Sequence, residues 1–423
     1  MKQIINELKE QPVIAWVTIL GTALAIFLIM VVVMLNQVSI VPLSPESNRD
    51  RLLYSTRVQT ASTDTANNMM RQSSVGIKIV DEVFKPLTTP EMISVFTNRI
   101  GSSKVNAPGV PVFDADTKNT DANFFKIYDF NFLAGGPYNE TDVESHFSKA
   151  VINKAMAQHM FKSIEDAVGK SILIDENSYT VIGVVDNVSP VTKYAYAQIW
   201  TPLPYSEPSD NDKYGTGRFA VAMLAADKKD IAKIKNEVND NLAKYNAGQA
   251  SEQLESDLDG APYTNEEYNY ISGGAADVSG GKRKEYMLYL ILLLIPAINL
   301  STMTRSRLAA RTGEIGVRRA FGATKSSIIT SIITENMIIT LAGGLIGLIL
   351  SWIFGGLFFN SIYSAGMFMN YRTEFTPGAG TLFAWSTFAY VLIFCFVLNL
   401  ISSGLPAIRA SRINVVDAIN AKK

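Results

Sequence analysis

The sequence predicts an α-helical membrane protein with four transmembrane helices and one large, two-lobed α+β domain outside the cytoplasm. Three observations predict it: long uncharged apolar runs near both ends, a polar and acidic middle, and basic residues gathered in the loops of one side. Charged residues make up only 18% of the 423, against about a quarter in an ordinary soluble chain. The net charge of -1 hides a division. Residues 46–281 carry 22 Lys+Arg against 32 Asp+Glu, and the remainder carries 16 against 7.

Residues 1–12, with Ile4, Ile5 and Leu8 among Lys and Glu, read as a short interfacial helix on the cytoplasmic side. The first span is 13–35, inside the uncharged stretch between Glu10 and Glu46. At 1.5 Å per residue it is about 34 Å long, enough for the hydrocarbon core. A cleaved leader has a shorter apolar region and a small-x-small cleavage site; Asn36–Ile40 offers none, so the run reads as an uncleaved anchor. The second span, 285–304, contains the uncharged run Tyr286–Thr304. The third is 330–359 and the fourth 380–403, joined by an external loop at 360–379.

Orientation follows from basic residues in short loops. The link 305–329 holds Arg305, Arg307, Arg311, Arg318, Arg319 and Lys325, and the tail 404–423 holds Arg409, Arg412, Lys422 and Lys423. The external loop has only Arg372 and Glu374. Both termini are therefore expected in the cytoplasm, and the domain 36–284 outside it. Lys282-Arg283-Lys284 argues the other way, but these side chains can snorkel to head groups.

The exported domain alternates strand and helix patterns. Thr89-Pro90-Glu91 reads as a helix start. Ala150–Ile152 reads as a strand leading into a helix near Asn153–Phe161, and Ser171–Ile174 and Tyr179–Val185 as strands around a polar turn. Phe219–Leu224 reads as a strand, and Ile231, Ile234, Val238, Leu242 and Tyr245 recur at helical spacing. Asn246–Gly281 shows little period and reads as irregular chain, its acidic stretch Glu252–Asp259 as solvated surface.

No catalytic pattern emerges. Gly169-Lys170-Ser171 matches the tail of a phosphate-binding loop, but Ile164 stands where its first glycine is needed, and the segment opens a strand rather than a helix. His146 and His159 have no cysteine partner and read as helix or loop positions. Gly-x-Ser-x-Gly is absent, and the single cysteine, Cys395, permits no disulfide within the chain. The expectation is a protein that is not an enzyme, binds no cofactor or metal itself, and has membrane lipid but no nucleic acid as partner.

The loop 305–329 has more order than topology needs. Gly313 is expected to break the helix descending from the second span. Glu314 precedes Arg318 by four, the favoured direction for a helical ion pair. Val317 and Phe321 share a face, Gly322-Ala323 ends the helix, and Thr324 can cap the next. A short amphipathic helix rigidly joined to two spans is a docking element. In the third span, Gly343-x-x-x-Gly347 allows close helix packing, within the chain or between subunits.

Glu314–Lys325, with Glu335 a turn into the third span, resembles the signature of the MacB/FtsX-type permeases of ABC transporters. Asn123–Gly135, Ala150–Phe161, Val168–Lys170 and Tyr179–Val185 are similar to that family's periplasmic core, and Leu405-Pro406-Ala407, Arg409 and Ala418-Ile419 to its tail. Two departures are Gly135-Gly136, where the family often has Gly-Arg, and Val415-Val416 before Asp417, where it often has Asn-Pro. The ATPase fused to the amino end of some members is not seen.

The resemblance implies a permease subunit in the inner (cytoplasmic) membrane, paired with a second permease copy or paralogue. ATP and Mg would reside in a separate ABC ATPase subunit gripping Glu314, Ile315, Val317, Arg318, Arg319 and Phe321. Motion would pass to the periplasmic domain to export or extract an antibiotic, peptide or lipoprotein, with a periplasmic adaptor and outer-membrane channel as further partners. The other function it implies is an FtsX-like signalling scaffold that activates a periplasmic or cell-wall partner.

Overall fold

A computed structural model describes residues 12–40, 42–63, 69–145, 147–204, 214–249, 254–258, 260–272, 277–310 and 312–363, with six helical positions between 389 and 400. The interfacial helix, His146, most of the external loop and the tail fall outside them. The chain divides into two compact units, one helical and one, from Ser39 to Val278, polar.

Helix α1 (Pro12–Ile40) opens the chain. The polar unit then runs β1 (Leu52–Ser55), β2 (Val58–Ser62), β3 (Met70–Val75), β4 (Met92–Thr97), β5 (Gly101–Ala107), β6 (Val110–Thr120), β7 (Phe132–Gly135) and β8 (Lys149–Asn153). Helix α2 (Lys154–Phe161), β9 (Ser171–Ile174), β10 (Asn177–Val185), β11 (Ile199–Pro202), β12 (Thr216–Gly217) and β13 (Phe219–Leu224) follow. Helix α3 (Ile231–Gln249), β14 (Leu254–Asp257), β15 (Tyr263–Thr264) and α4 (Asn265–Ser272) complete it. Among the described residues, 15 strands join one sheet, mostly antiparallel, with β8–β10 and β6–β11 parallel.

Two regions of this sheet have their own cores. One gathers Ile152, Met156, Met160, Val181 and Ile199 around α2. The other gathers Val80, Phe84, Val221, Ile234 and Val238 around α3. A third, aromatic core contains Tyr54, Phe96, Phe124, Tyr128 and Trp200. Removing such a large side chain from water contributes about 1.5–3 kcal/mol. Helix α2 starts where Asn153 Oδ1 accepts the Met156 amide at 2.9 Å, a cap worth about 1 kcal/mol. The β9–β10 turn places Asp175 and Glu176 at φ 47° and 70°. Asp175 Oδ1 holds it by accepting the Lys104 amide of β5 at 2.8 Å.

The segment between β10 and β11 is irregular yet largely buried, so its backbone polar groups need partners. Side chains supply them. Arg49 bonds Glu46 at 2.7 Å and the Val191 carbonyl at 3.2 Å. The fully buried Lys118 ammonium donates to the Tyr194 carbonyl at 2.5 Å and the Lys193 carbonyl at 3.4 Å. Trp200 Nε1 donates to the Ala195 carbonyl at 3.1 Å. Burial lowers the Lys118 amine to about 7; Glu46 opposes this shift and Lys193 adds to it. Burial likewise raises the Asp121 carboxyl to about 7, against the hydrogen bonds it accepts from Ser94, Val95 and Phe124.

Two expectations fail here. Thr89-Pro90-Glu91 starts no helix; it is a bend before β4. The Thr88 and Thr89 amides donate to the Glu237 carboxylate of α3 at 2.8 and 3.0 Å. The β-prone run Met92–Thr97 pairs along its whole length with β13. Asn246–Gly281 is not irregular either, since it contains the end of α3, β14, β15, α4 and the start of the next helix. Within the acidic stretch, Leu254 and Ser256 are buried as β14 pairs with β2, while Glu255 and Asp257 point outward.

The helical unit comprises α1, α5 (Val278–Ala310), α6 (Thr312–Ala320) and α7 (Lys325–Tyr363). Among the described residues, Lys325–Phe358 is long and apolar enough to cross a membrane, and Ile19–Met34 is a shorter apolar helix. Of the region expected as the fourth span, the described positions Tyr390, Ile393, Phe396 and Val397 are helical and exposed.

Candidate coupling element

Helix α6 is short, so its ends decide whether it forms. At its carboxyl end Gly322 adopts φ 93°. The Ala323 amide donates to the Arg318 carbonyl and the Gly322 amide to the Arg319 carbonyl, both at 3.0 Å. This is a Schellman stop, in which a left-handed residue satisfies the last carbonyls. Helix α7 begins two residues later, with Thr324 Oγ1 accepting the Ser327 amide at 3.2 Å. Gly322-Ala323-Thr324 is therefore a fixed elbow. Gly313, expected to break the helix descending from the second span, is itself helical, within α6.

At 3.6 residues per turn, Glu314, Val317, Arg318 and Phe321 share one arc, and Ile315 faces away from it. Ile315 is 7% exposed and packs with Ile328 of α7, alongside Ala323 and Ile332. That contact fastens α6 to the base of α7. Glu314 Oε1 meets Arg318 Nη2 at 2.6 Å. Beside this pair Val317 is 47% and Phe321 89% exposed. Arg319 is half-buried.

Gly343 and Gly347 lie in α7 against α1 of the same chain. A Cβ at Gly343 would come within 2.9 Å of Thr22 Cβ, and one at Gly347 within 2.5 Å of the Ala23 carbonyl oxygen. The small-residue stripe thus serves a contact within this chain. Around it Ile26, Ile29 and Met30 of α1 pack with Leu292 of α5 and Leu348 of α7. Phe27 and Phe354 meet edge to face at 5.6 Å.

The phosphate-loop look-alike is a turn. Gly169 adopts φ 84°, its amide donates to the Val181 carbonyl at 2.8 Å, and β9 opens at Ser171. His159 packs edge-on against Phe113 at 4.8 Å.

Residues 15–241 match the MacB-like periplasmic core domain, and residues 286–415 match the FtsX-like permease C-terminal domain. The chain belongs to the MacB/FtsX permease family. It is 22% identical over 312 residues to an uncharacterized ABC transporter permease, YknZ, of Bacillus subtilis, covering 72% of this chain and 70% of that one. It is 24% identical over 334 residues to the macrolide export ATP-binding/permease protein MacB of Pasteurella multocida, covering 78% and 46%. It is 24% identical over 299 residues to the pyoverdine export ATP-binding/permease protein PvdT of Pseudomonas fluorescens, covering 67% and 41%. The chain thus spans less than half the length of these MacB and PvdT proteins. The extracellular domain of YknZ aligns over 48% of this chain and 99% of its own, with 14% identity and a TM-score of 0.33. Among MacB/FtsX permeases, this chain therefore combines the periplasmic-type domain with the permease region.

Proposed function

We propose that this MacB/FtsX permease couples ATP hydrolysis by a separate ATPase subunit to movement of its periplasmic domain, and so exports or extracts a substrate. The observation that carries the reading is Phe321. A phenylalanine 89% exposed, beside an ion pair and at the locked carboxyl end of α6, is a partner contact waiting to be covered. The site assigned to the ATPase is the α6 arc of Glu314, Val317, Arg318 and Phe321, with Ile315 fastening it to α7 and Arg319 at its edge.

Transmission would be mechanical. The Gly322–Thr324 elbow and the Ile315–Ile328 contact tie α6 to α7, so a push on α6 reaches a membrane helix without a hinge to absorb it. The uncharged Tyr286–Thr304 stretch lacks the ionisable groups that line polar conduits, which favours transmission over a channel. Four spans with both termini cytoplasmic follow from the basic loops, and this topology puts α6 on the ATP side. Macrolide export and pyoverdine export by relatives support a substrate that is an antibiotic, peptide or lipoprotein acted on outside the cytoplasm.

The test is co-purification with the ATPase, followed by ATPase assays with Phe321→Ala and Phe321→Asp. Loss of subunit association or of stimulated hydrolysis is expected. Full association and stimulation with Asp at 321 would refute the assignment.

A further inference from the structure

The polar unit contains a cleft of about 530 Å³ that the coupling account does not use. Its walls come from five separated parts of the chain, β3 being one of them. Arg57 stands between β1 and β2, and Asn98, Arg99 and Ile100 follow β4. Lys193 lies in the buried irregular segment, and Tyr268 in α4. Among the described lining residues, three side chains are cationic and none is a carboxylate. This occurs in a region where acids outnumber bases 32 to 22, so the local excess of positive charge runs against the composition of its surroundings.

The walls are fixed. Asn98 Nδ2 donates to the Thr56 carbonyl and to Ser74 Oγ, both at 2.9 Å, which pins the base of the Arg99 loop. Lys193 Nζ lies 3.3 Å from the Tyr268 hydroxyl and 4.9 Å from its ring centre. The backbone of Lys193 is itself held by buried Lys118. Arg57 and Arg99 are exposed, and among the described residues neither makes an ion pair. A guanidinium presents a planar fork of donors matched to carboxylate and phosphate oxygens. Two of these, an ammonium and a ring of hydroxyl and amide groups in a pre-formed hollow make an oxyanion site, and Ile100 and Tyr268 give it an apolar wall.

We infer that the cleft bounded by Arg57, Arg99, Lys193 and Tyr268 binds an organic oxyanion, a phosphate or carboxylate head on a short apolar body. This site stands apart from the α6 coupling assignment and does not depend on it.

The full chain, held in phosphatidylcholine nanodiscs, is titrated calorimetrically with hexyl phosphate, inorganic phosphate and hexanol. Hexyl phosphate should bind, more tightly than inorganic phosphate, and weaken as salt is raised; hexanol should not bind. Arg57→Gln with Arg99→Gln should weaken hexyl phosphate at least tenfold, and Lys193→Gln less, with unchanged thermal midpoints because these side chains are exposed. Loss of hexyl phosphate binding when phosphatidylglycerol replaces part of the bilayer would uphold the site and name a lipid headgroup as its source. Persistence of binding would uphold it for a soluble ligand. Absence of hexyl phosphate binding at millimolar concentration, or equal binding by wild type and the double arginine variant, would overturn the inference.

Discussion

In the polar unit the largest side chains face inward: Trp200, Tyr54, Tyr128 and Phe124 are buried, and Lys118 and the Glu46–Arg49 pair are buried with them in a bonded network. The helical unit reverses the pattern. Trp16, Leu20, Leu24, Ile291, Trp352 and Leu357 face outward, while Thr22, Ala23, Gly343 and Gly347 sit at the helix contacts. The difference reports two solvents. Where water surrounds the chain, burying apolar area is the driving force. Where lipid surrounds it, apolar area gains nothing by leaving the surface, and close packing of small residues holds helices together. Helix α6 fits neither rule, being short and charged with Phe321 outside. This exception is the feature on which the proposed coupling surface rests.

Breaking the exception should have the largest effect. A buried aromatic anchor at an interface contributes about 2 kcal/mol or more, so Phe321→Ala should weaken ATPase association by roughly thirtyfold, read by titrating the purified subunits. In the lipid-facing unit, Gly347→Leu must displace the α1 backbone at Ala23. Overpacking of this kind costs about 1–3 kcal/mol, to be measured as reversible unfolding in mixed micelles, with no change in the cleft's ligand binding.

In the polar unit, Lys118→Met strands two carbonyls but removes a buried charge, so the loss at neutral pH should be about 1 kcal/mol. Its clearer signature is pH dependence. The folded amine titrates near 7, below its unfolded value. The unfolded chain therefore binds more protons between about pH 7 and 10, and stability rises with pH across that window. Lys118→Met should flatten this slope in thermal midpoints taken from pH 7 to 10. Asp121, raised to about 7 in the fold, acts in the opposite sense and lower, with stability falling as pH rises from about 4 to 7. The smallest effect is expected at the exposed Glu314–Arg318 pair. As an exposed charge on the proposed contact arc, Glu314→Gln should cost only about 0.3–0.5 kcal/mol and weaken association about twofold, far less than Phe321→Ala, since 0.4 kcal/mol is about a factor of two in binding.

Local patterns were legible in the sequence where they were self-contained. The run Val13–Leu35, the helix near Asn153–Phe161, the Glu314–Arg318 spacing and the Gly322–Thr324 elbow each depend on neighbours within a few residues. The failures involve distant partners. Thr89-Pro90-Glu91 looks like a helix start until Glu237, far along the chain, captures its amides. Asn246–Gly281 looks irregular until β2 lies beside Leu254–Asp257 and buries Leu254 and Ser256, leaving the acids in solvent. Gly343-x-x-x-Gly347 signalled close approach but could not say to which helix. The oxyanion cleft had no sequence signature, because Arg57, Arg99, Lys193 and Tyr268 meet only in the folded sheet.

The most direct test of the central claim places a photoreactive benzophenone at position 321, in a chain whose single cysteine is replaced by Cys395→Ser so that Phe321→Cys can carry it. Irradiation of intact membranes should give one dominant adduct, to a nucleotide-hydrolysing subunit, and external impermeant thiol reagents should leave Cys at 321 unlabelled. Rapid labelling from outside the cell, or adducts with lipid alone while the ATPase is present, would contradict the account.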